Sequence, residues 1–338
     1  MEIQEQLPQA PVENRLNFKG DGGSLFGIYL INFLLIFVTL GIYYPWARAR
    51  MLKYIYGETS FYGSRLSFHG TGREMFVGFI KAIVLFGIFY SIIIYLFLSM
   101  SEAQQNPDPE NGTPIWMYFL GIYSLLILFM ATIVPLAIHG ALKYRLAKTS
   151  WRGIRLGYRG DRGRLYVIFI RDLLLSLITL GVYRAWFEVN LKRYIMSQVR
   201  FGDVEFRFKG DGLDLFMIHF KGIILSFLTL GIYSFWYATD IYNFNVNNIR
   251  VVQKDREFPL RSTATVSDIF ELLVINWLMV TFTFGIATPW AVARQLKFYL
   301  GNALFDTGFD PNLIVQTEAD YNDALAEDLS DMFDLGIV

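Results

Sequence analysis

The stretch from Phe18 to Tyr54, FKGDGGSLFGIYLINFLLIFVTLGIYYPWARARMLKY, carries the pattern that decides the fold. Its opening Phe18-Lys19-Gly20-Asp21 returns as Phe68-His69-Gly70-Thr71, Tyr158-Arg159-Gly160-Asp161 and Phe208-Lys209-Gly210-Asp211. Thr39-Leu40-Gly41-Ile42-Tyr43 returns as Thr179 to Tyr183 and Thr229 to Tyr233, each time 21 residues after the start of its copy. A diverged copy, Thr283-Phe284-Gly285-Ile286, places a fifth start at Ser262. Trp46, Trp186, Trp236 and Trp290 then fall in register. The second copy lacks the Thr-Leu-Gly string, yet Pro45 to Tyr54 aligns with Pro135 to Tyr144 after 40 surplus residues. Self-similarity at a fixed period marks an array of supersecondary units.

Five units follow: 15–64, 65–154, 155–204, 205–258 and 259–300. Residues 1–14 read as a disordered N-terminus, and 301–338 as an acidic cytoplasmic tail. Within each unit Asp21, Thr71, Asp161, Asp211 or Thr265 stands directly before an apolar run. These residue types are strong helix N-caps, because their side-chain oxygens accept from free N–H groups of the first turn. The spacing of Thr71 and Glu74 is that of a capping box. Ahead of each cap, apolar residues alternate (Leu16/Phe18, Leu66/Phe68, Leu156/Tyr158, Phe206/Phe208), the period of a strand. Gly63-Ser64 and Gly202-Asp203 are hairpin-turn signals.

Composition sets the class. Of 338 residues 54% are hydrophobic, and the mean hydropathy is +0.37. Apolar runs cover Leu25–Tyr44, Met75–Met100, Ile115–His139, Leu165–Tyr183, Leu215–Trp236 and Ile269–Trp290. Runs of roughly 20 apolar residues match the hydrocarbon thickness of a bilayer, and 58 Phe, Tyr and Trp residues suit its aromatic belts. The expected fold is therefore an all-α integral membrane protein of about five pseudo-repeats of about 50 residues. Each repeat would hold a short strand or hairpin, a capped apolar helix, a Thr-Leu-Gly turn and an amphipathic helix, with a small β cap at the cytoplasmic face. Zero formal charge gives no global pull towards nucleic acid, and the absence of cysteine removes thiolate sites and disulfides.

Two topologies remain open. Six spans could alternate across the membrane, but that would put the same basic connector on opposite sides in turn. Arg48, Arg50, Lys53, Lys143, Arg145, Lys148, Arg152, Arg155, Arg159, Lys192 and Arg193 crowd the connectors, whereas Ser101–Pro114 has no Lys or Arg. The positive-inside rule favours keeping every connector in the cytoplasm. Units one, three, four and five would then be re-entrant hairpins turning near Gly41, Gly181, Gly231 and Gly285. The longer second unit would cross completely.

Phe-Lys-Gly-Asp, Thr39 to Tyr43, Trp46-Ala47 and Lys53-Tyr54 together resemble the YjgN-like family of bacterial inner-membrane proteins over roughly residues 15–300. The resemblance implies a bacterial inner-membrane location. It implies no activity and supplies no catalytic residues.

Polar groups within apolar segments are the default functional candidates in a membrane protein. Register places Lys81, Arg171 and Lys221 at one position, and Asn32, Asp172 and Asn276 at the next. A shared polar tier would hold a solute, an ion or a lipid headgroup, whereas the bland alternative is snorkelling cations and interhelical Asn bonds. His69, His139 and His219 show no ligand spacing, so neither metal nor cofactor is expected. Walker, dinucleotide and nucleophile-elbow motifs are missing, so no enzyme is expected. Membrane lipids are the expected partners, with homo-oligomerisation open. The tail from Glu318 to Asp334 is acidic, with Leu325, Leu329, Met332 and Phe333 at helical spacing, and could recruit a protein partner. A transporter, channel or lipid-handling protein is the first functional expectation. A non-catalytic scaffold is the alternative, and a lipid-modifying enzyme the third.

Overall fold

A computed structural model describes residues 14–105 and 113–317. The acidic helix expected around Leu325 lies outside them, as do the N-terminal residues before Asn14 and the tip of the Ser101–Pro114 loop. Strand β1 (Leu16–Phe18) leads through Asp21 into helix α1 (Gly22–Val38), and α2 (Tyr44–Gly57) returns to β2 (Thr59–Phe61). The same strand–helix–helix–strand succession continues with β3 (Ser64–Phe68), α3 (Gly72–Gln105), α4 (Ile115–Ala147) and β4 (Thr149–Trp151). Next come β5 (Ile154–Tyr158), α5 (Arg162–Ile178), α6 (Arg184–Gln198) and β6 (Val199–Phe201). After them stand β7 (Val204–Phe208), α7 (Gly212–Leu228), α8 (Ser234–Asn247), β8 (Ile249–Gln253) and β9 (Arg256–Pro259). The last unit is β10 (Arg261–Ser262), α9 (Val266–Phe282), α10 (Thr288–Gly301) and β11 (Ala303–Leu304).

The fold is not all-α. Among the described residues nine strands form one antiparallel sheet in chain order from β1 to β9, and β10 pairs with β11. The reason is propagation. Each helical hairpin stands on a strand pair, such as Leu16↔Phe61 to Phe18↔Thr59. Tight turns then pair one unit with the next, as in Phe61↔Ser64. Each of β2 to β8 thereby gains two neighbours, so what sequence presented as a small cap becomes a sheet running through the chain. An Arg15↔Leu304 bridge and mutual hydrogen bonds between Asn14 and Phe305 tie the end of the chain to its beginning. The helices close likewise: each packs on its sequence neighbours, and α10 packs on α1.

Inside the sheet lies an aromatic core. Phe61, Trp151, Phe201 and Val251, one from each successive strand pair, meet Phe309 and Ile314 from the segment after β11. Trp151 is 1% exposed, and its Nε1 donates to the Phe61 carbonyl at 2.9 Å. Burial of that ring with its polar atom paired explains why an indole is tolerated there.

Four of the six apolar runs are not single helices. Each is broken at its Thr-Leu-Gly string, where the chain reverses. Thr39 Oγ1 donates back to the Leu35 carbonyl at 2.6 Å and accepts from Tyr43 N at 3.0 Å, so one hydroxyl ends α1 and starts the next turn. Thr179, Thr229 and Thr283 do the same. Gly41 has φ +92°, and its N–H reaches the Ile36 carbonyl at 2.8 Å, a Schellman-type ending that a Cβ would strain. By contrast, α3 and α4 run 34 and 33 residues, about 50 Å each. Among the described residues these two alone are helices long and apolar enough to cross a membrane.

Candidate functional site

The cap residues do local work. Asp21 accepts from Ser24 N at 2.9 Å, Asp161 from Arg164 N at 2.7 Å and Asp211 from Leu213 N at 2.9 Å. Thr71 and Glu74 exchange bonds, as do Thr265 and Asp268. The Ser24 hydroxyl and N–H hold the Asp21 carboxyl below the usual range. Tyr54 and Tyr194, from the returning helices, supply hydroxyls that accept from the N–H of Asp21 and Asp161.

The six polar residues of the expected tier are not gathered at one point. Asn32 is buried and donates to the Ala47 carbonyl at 3.2 Å, inside its own hairpin. Asn276 does the same with Ala291 at 3.4 Å. Asp172 is fully buried and accepts from Arg171 Nε at 2.7 Å and Asn190 Nδ2 at 2.9 Å. Lys81 is exposed, and Lys221 is exposed with its Nζ 5.6 Å from the Tyr233 ring centre. Arg171 is likewise more than half exposed. The cations therefore face outwards, and the carboxylate and amides each serve one hairpin.

A different polar chain does connect separate elements. Across α6, α7 and α8, Tyr237 Oη lies 2.6 Å from His219 Nδ1, and His219 Nε2 lies 3.8 Å from Glu188 Oε2. Glu188 Oε1 accepts from Lys192 Nζ at 2.5 Å, and that ammonium also donates to Asn245 Oδ1 at 2.5 Å. Tyr237 is one turn inside the tip end of α8, and Asn245 is near its sheet end. Eight residues of helix rise separate them, about 12 Å. Side chains from three helices thus form a lengthwise file between the third and fourth hairpins. Their outer faces are apolar and exposed: Leu174, Leu177, Ile178, Ile223, Phe227 and Leu228.

Beyond Lys192 on α6, towards the sheet end, lies an open cleft of about 660 Å³, lined by Arg193, Ser197, Arg207, Phe208, Lys209 and Glu257. Arg193 donates to the Gly210 carbonyl at 3.0 Å. Glu257 takes Arg207 at 3.1 Å and Lys209 by a short contact. The Lys209 ammonium, with Arg207 behind it, holds the Glu257 carboxyl below its ordinary value.

Sequence reasoning missed Glu188, Lys192, His219, Tyr237 and Asn245. The file is assembled from three helices, so no single spacing announces it. One signal existed: Glu188 and Lys192 stand four apart on a helix, the spacing of an ion pair. His219 also occupies a register position held elsewhere by Tyr29, Phe79, Phe169 and Leu273.

The family described as "Bacterial protein of unknown function (DUF898)" matches residues 13–210, 203–258 and 237–332. The inner membrane protein YjgN of Salmonella typhimurium (strain LT2) is 26% identical over 179 residues, 49% of this chain and 40% of that protein. Inner membrane protein YjgN of Escherichia coli (strain K12) is 29% identical over 161 residues, 47% of this chain and 35% of its own length. The chain thus spans two fifths or less of the curated relatives it matches. No solved structure matches it.

Proposed function

This chain belongs to the DUF898 family of bacterial proteins, and from that premise we propose that it is an inner-membrane transporter whose conducting element is the polar file from Tyr237 to Asn245. Its relatives' names support the inner-membrane location. In this reading α3 and α4 cross the bilayer, and the other four hairpins enter and leave from the sheet side. Leu40, Leu180, Leu230 and Phe284 at the hairpin tips are each more than nine-tenths exposed, a costly display in water and a favourable one in lipid. Backbone in a membrane must satisfy its polar groups internally, and each tip bonds within its own turn, through the threonine hydroxyl and the glycine N–H. Most of the basic connector residues, among them Lys148, Arg152, Arg155 and Arg159, lie at the sheet end, which supports a cytoplasmic sheet.

The observation that carries the transport reading is the file itself. Ionisable groups amid apolar helices are expensive and mark ion or substrate paths. Tyr237, His219, Glu188 and Lys192 are each able to take up and release a proton, and the whole file runs along the hairpins instead of across them.

Two experiments test this. Purified chain in vesicles carrying an internal pH dye should collapse an imposed pH gradient, and Glu188→Gln or His219→Phe should abolish the effect. Wild-type vesicles no leakier than protein-free ones would sink the reading. For the seating, single cysteines at Glu58, Thr149 and Lys254 should resist an impermeant maleimide in intact cells, while one at Asn106 labels. No native cysteine competes.

A further inference from the structure

We propose that the cleft between Arg193 and Lys209 binds a phosphate group, borne by an anionic phospholipid headgroup or by a soluble phosphate compound. The inference rests on the seating proposed above and names a class of ligand for the cytoplasmic end of the third and fourth hairpins.

The lining makes the case. Arg193, Arg207 and Lys209 line the cleft with one carboxylate, Glu257; Glu205, outside the lining, also pairs with Arg207 at 3.5 Å but is shared with Arg200, so the cleft keeps excess positive charge. Arg193 spends one N–H on the Gly210 carbonyl, and a guanidinium offers five in a fork matched to phosphate oxygens. Lys209 is held on the other side by Glu257. An anion seated between them would gain both cations, with Glu257 as the internal competitor that keeps Lys209 and Arg207 in place when the cleft is empty. The volume of about 660 Å³ suits a headgroup or a small phosphate ester.

Register supplies a second, independent observation. The position of Arg193 is held by Lys53, Lys143, Asn243 and Lys297 in the other units, and that of Lys209 by Lys19, His69, Arg159 and Thr263. Each returning helix meets the start of the next unit, as α6 meets α7 and α10 meets α1. Basic pairs therefore mark four junctions: Lys53 with His69, Lys143 with Arg159, Arg193 with Lys209, and Lys297 with Lys19. Only the junction of Asn243 and Thr263 is neutral. All these residues stand at the sheet end of the hairpins, the level of the headgroups if the hairpins are seated in lipid. Basic pockets between membrane helices on the cytoplasmic side are suited to anionic headgroups. The Arg193–Lys209 junction adds the cleft and the adjoining Lys192.

The test is lipid binding by the detergent-purified full chain, followed by native mass spectrometry against phosphatidylglycerol, phosphatidylcholine and inorganic phosphate. Phosphatidylglycerol should bind in preference to phosphatidylcholine. The double variant Arg193→Gln, Lys209→Gln should weaken it by about tenfold. Arg294→Gln, which removes a cation paired with Glu271 on another hairpin, should leave it unchanged. Glu257→Gln should tighten it, because the competitor is gone. A part that was only structural would instead weaken it.

Competition by inorganic phosphate would assign the site to soluble phosphates, and lack of competition to the lipid; either supports the phosphate site. Unchanged phosphatidylglycerol binding in the double variant would overturn it, as would weaker binding in Glu257→Gln. This readout needs no flux, so a silent gradient assay and an empty cleft are separable failures.

Discussion

The indole of Trp290 lies so close to Gly22 that a Cβ there would come within 2.2 Å of Trp290 Cδ1. Trp46 stands against Gly72 and Trp186 against Gly212 in the same way, at 2.4 and 2.2 Å. One joint therefore links the returning helix of a unit to the first turn of the next. At Gly22 it links the last unit to the first.

Closing the structure should depend on that joint. Gly22→Val should lower stability by ~1–3 kcal/mol, the cost of overpacking a tight contact. Gly27→Ala, five residues on in the same helix, meets nothing within 4 Å. It should raise stability by up to ~1 kcal/mol, since alanine is the better helix former. Thermal unfolding in detergent compares the two. Equal effects would mean that the joint contributes nothing.

The hairpin tips should sit in lipid. Leu230→Cys, the one cysteine in the chain, carries an apolar bimane whose emission should be quenched by spin-labelled lipid while resisting iodide. Quenching by iodide alone would place the tip in water and remove the proposed seating.

One interhelical slot is filled in more than one way among the hairpins. Asn32 lies against Ala47 and Asn276 against Ala291, whereas Gly222 lies under Tyr237, where a Cβ would meet the ring at 2.1 Å. Gly222→Asn alone should cost ~1–3 kcal/mol through overpacking, and Tyr237→Ala alone ~2–4 kcal/mol through the cavity it leaves. The pair together recreates the Asn–Ala filling, so the double variant should be more stable than the sum by ~1 kcal/mol or more. Simple additivity in denaturant titrations would show that the slots are unrelated.

Tyr158 gives a pH signature. Burial pushes its hydroxyl up to about 12, from an ordinary value of 10.0. A raised folded-state value means that the native state holds the proton longer than the unfolded chain does. Its contribution is complete below pH 10 and is lost as pH rises from 10 towards 12. Tyr158→Phe should leave stability near neutral pH little changed and make the alkaline decline shallower. An unaltered decline would assign it to other groups.

What could be read in the sequence was short in range. Asp21 and Thr265 precede apolar runs, and Thr39-Leu40-Gly41 combines a hydroxyl with a residue free to take positive φ. Caps and turns depend on neighbours in the chain. Alternation at Leu16/Phe18 also marked strands, but pairing across units was not visible, so a sheet of nine strands was read as a minor cap. The file through His219 escaped for a related reason: Glu188, His219 and Tyr237 come from three helices and share no register position. Lys81, Arg171 and Lys221 did share one, yet a common register in separate hairpins puts side chains on equivalent faces, not in mutual contact.

A circuit that joins its last member to its first has a fixed membership. An open stack can gain or lose a layer and keep its curvature, but here removal of residues 155–204 would leave a gap that four hairpins must bend further to span. By the same token the circuit has no privileged starting point. Asn14 and Phe305 already hydrogen-bond to each other. A linker that rejoins the two ends and keeps Phe309 and Ile314 in the core, with new ends cut at the Tyr62–Gly63 turn, would give a circular permutant that keeps every unit between the same two neighbours.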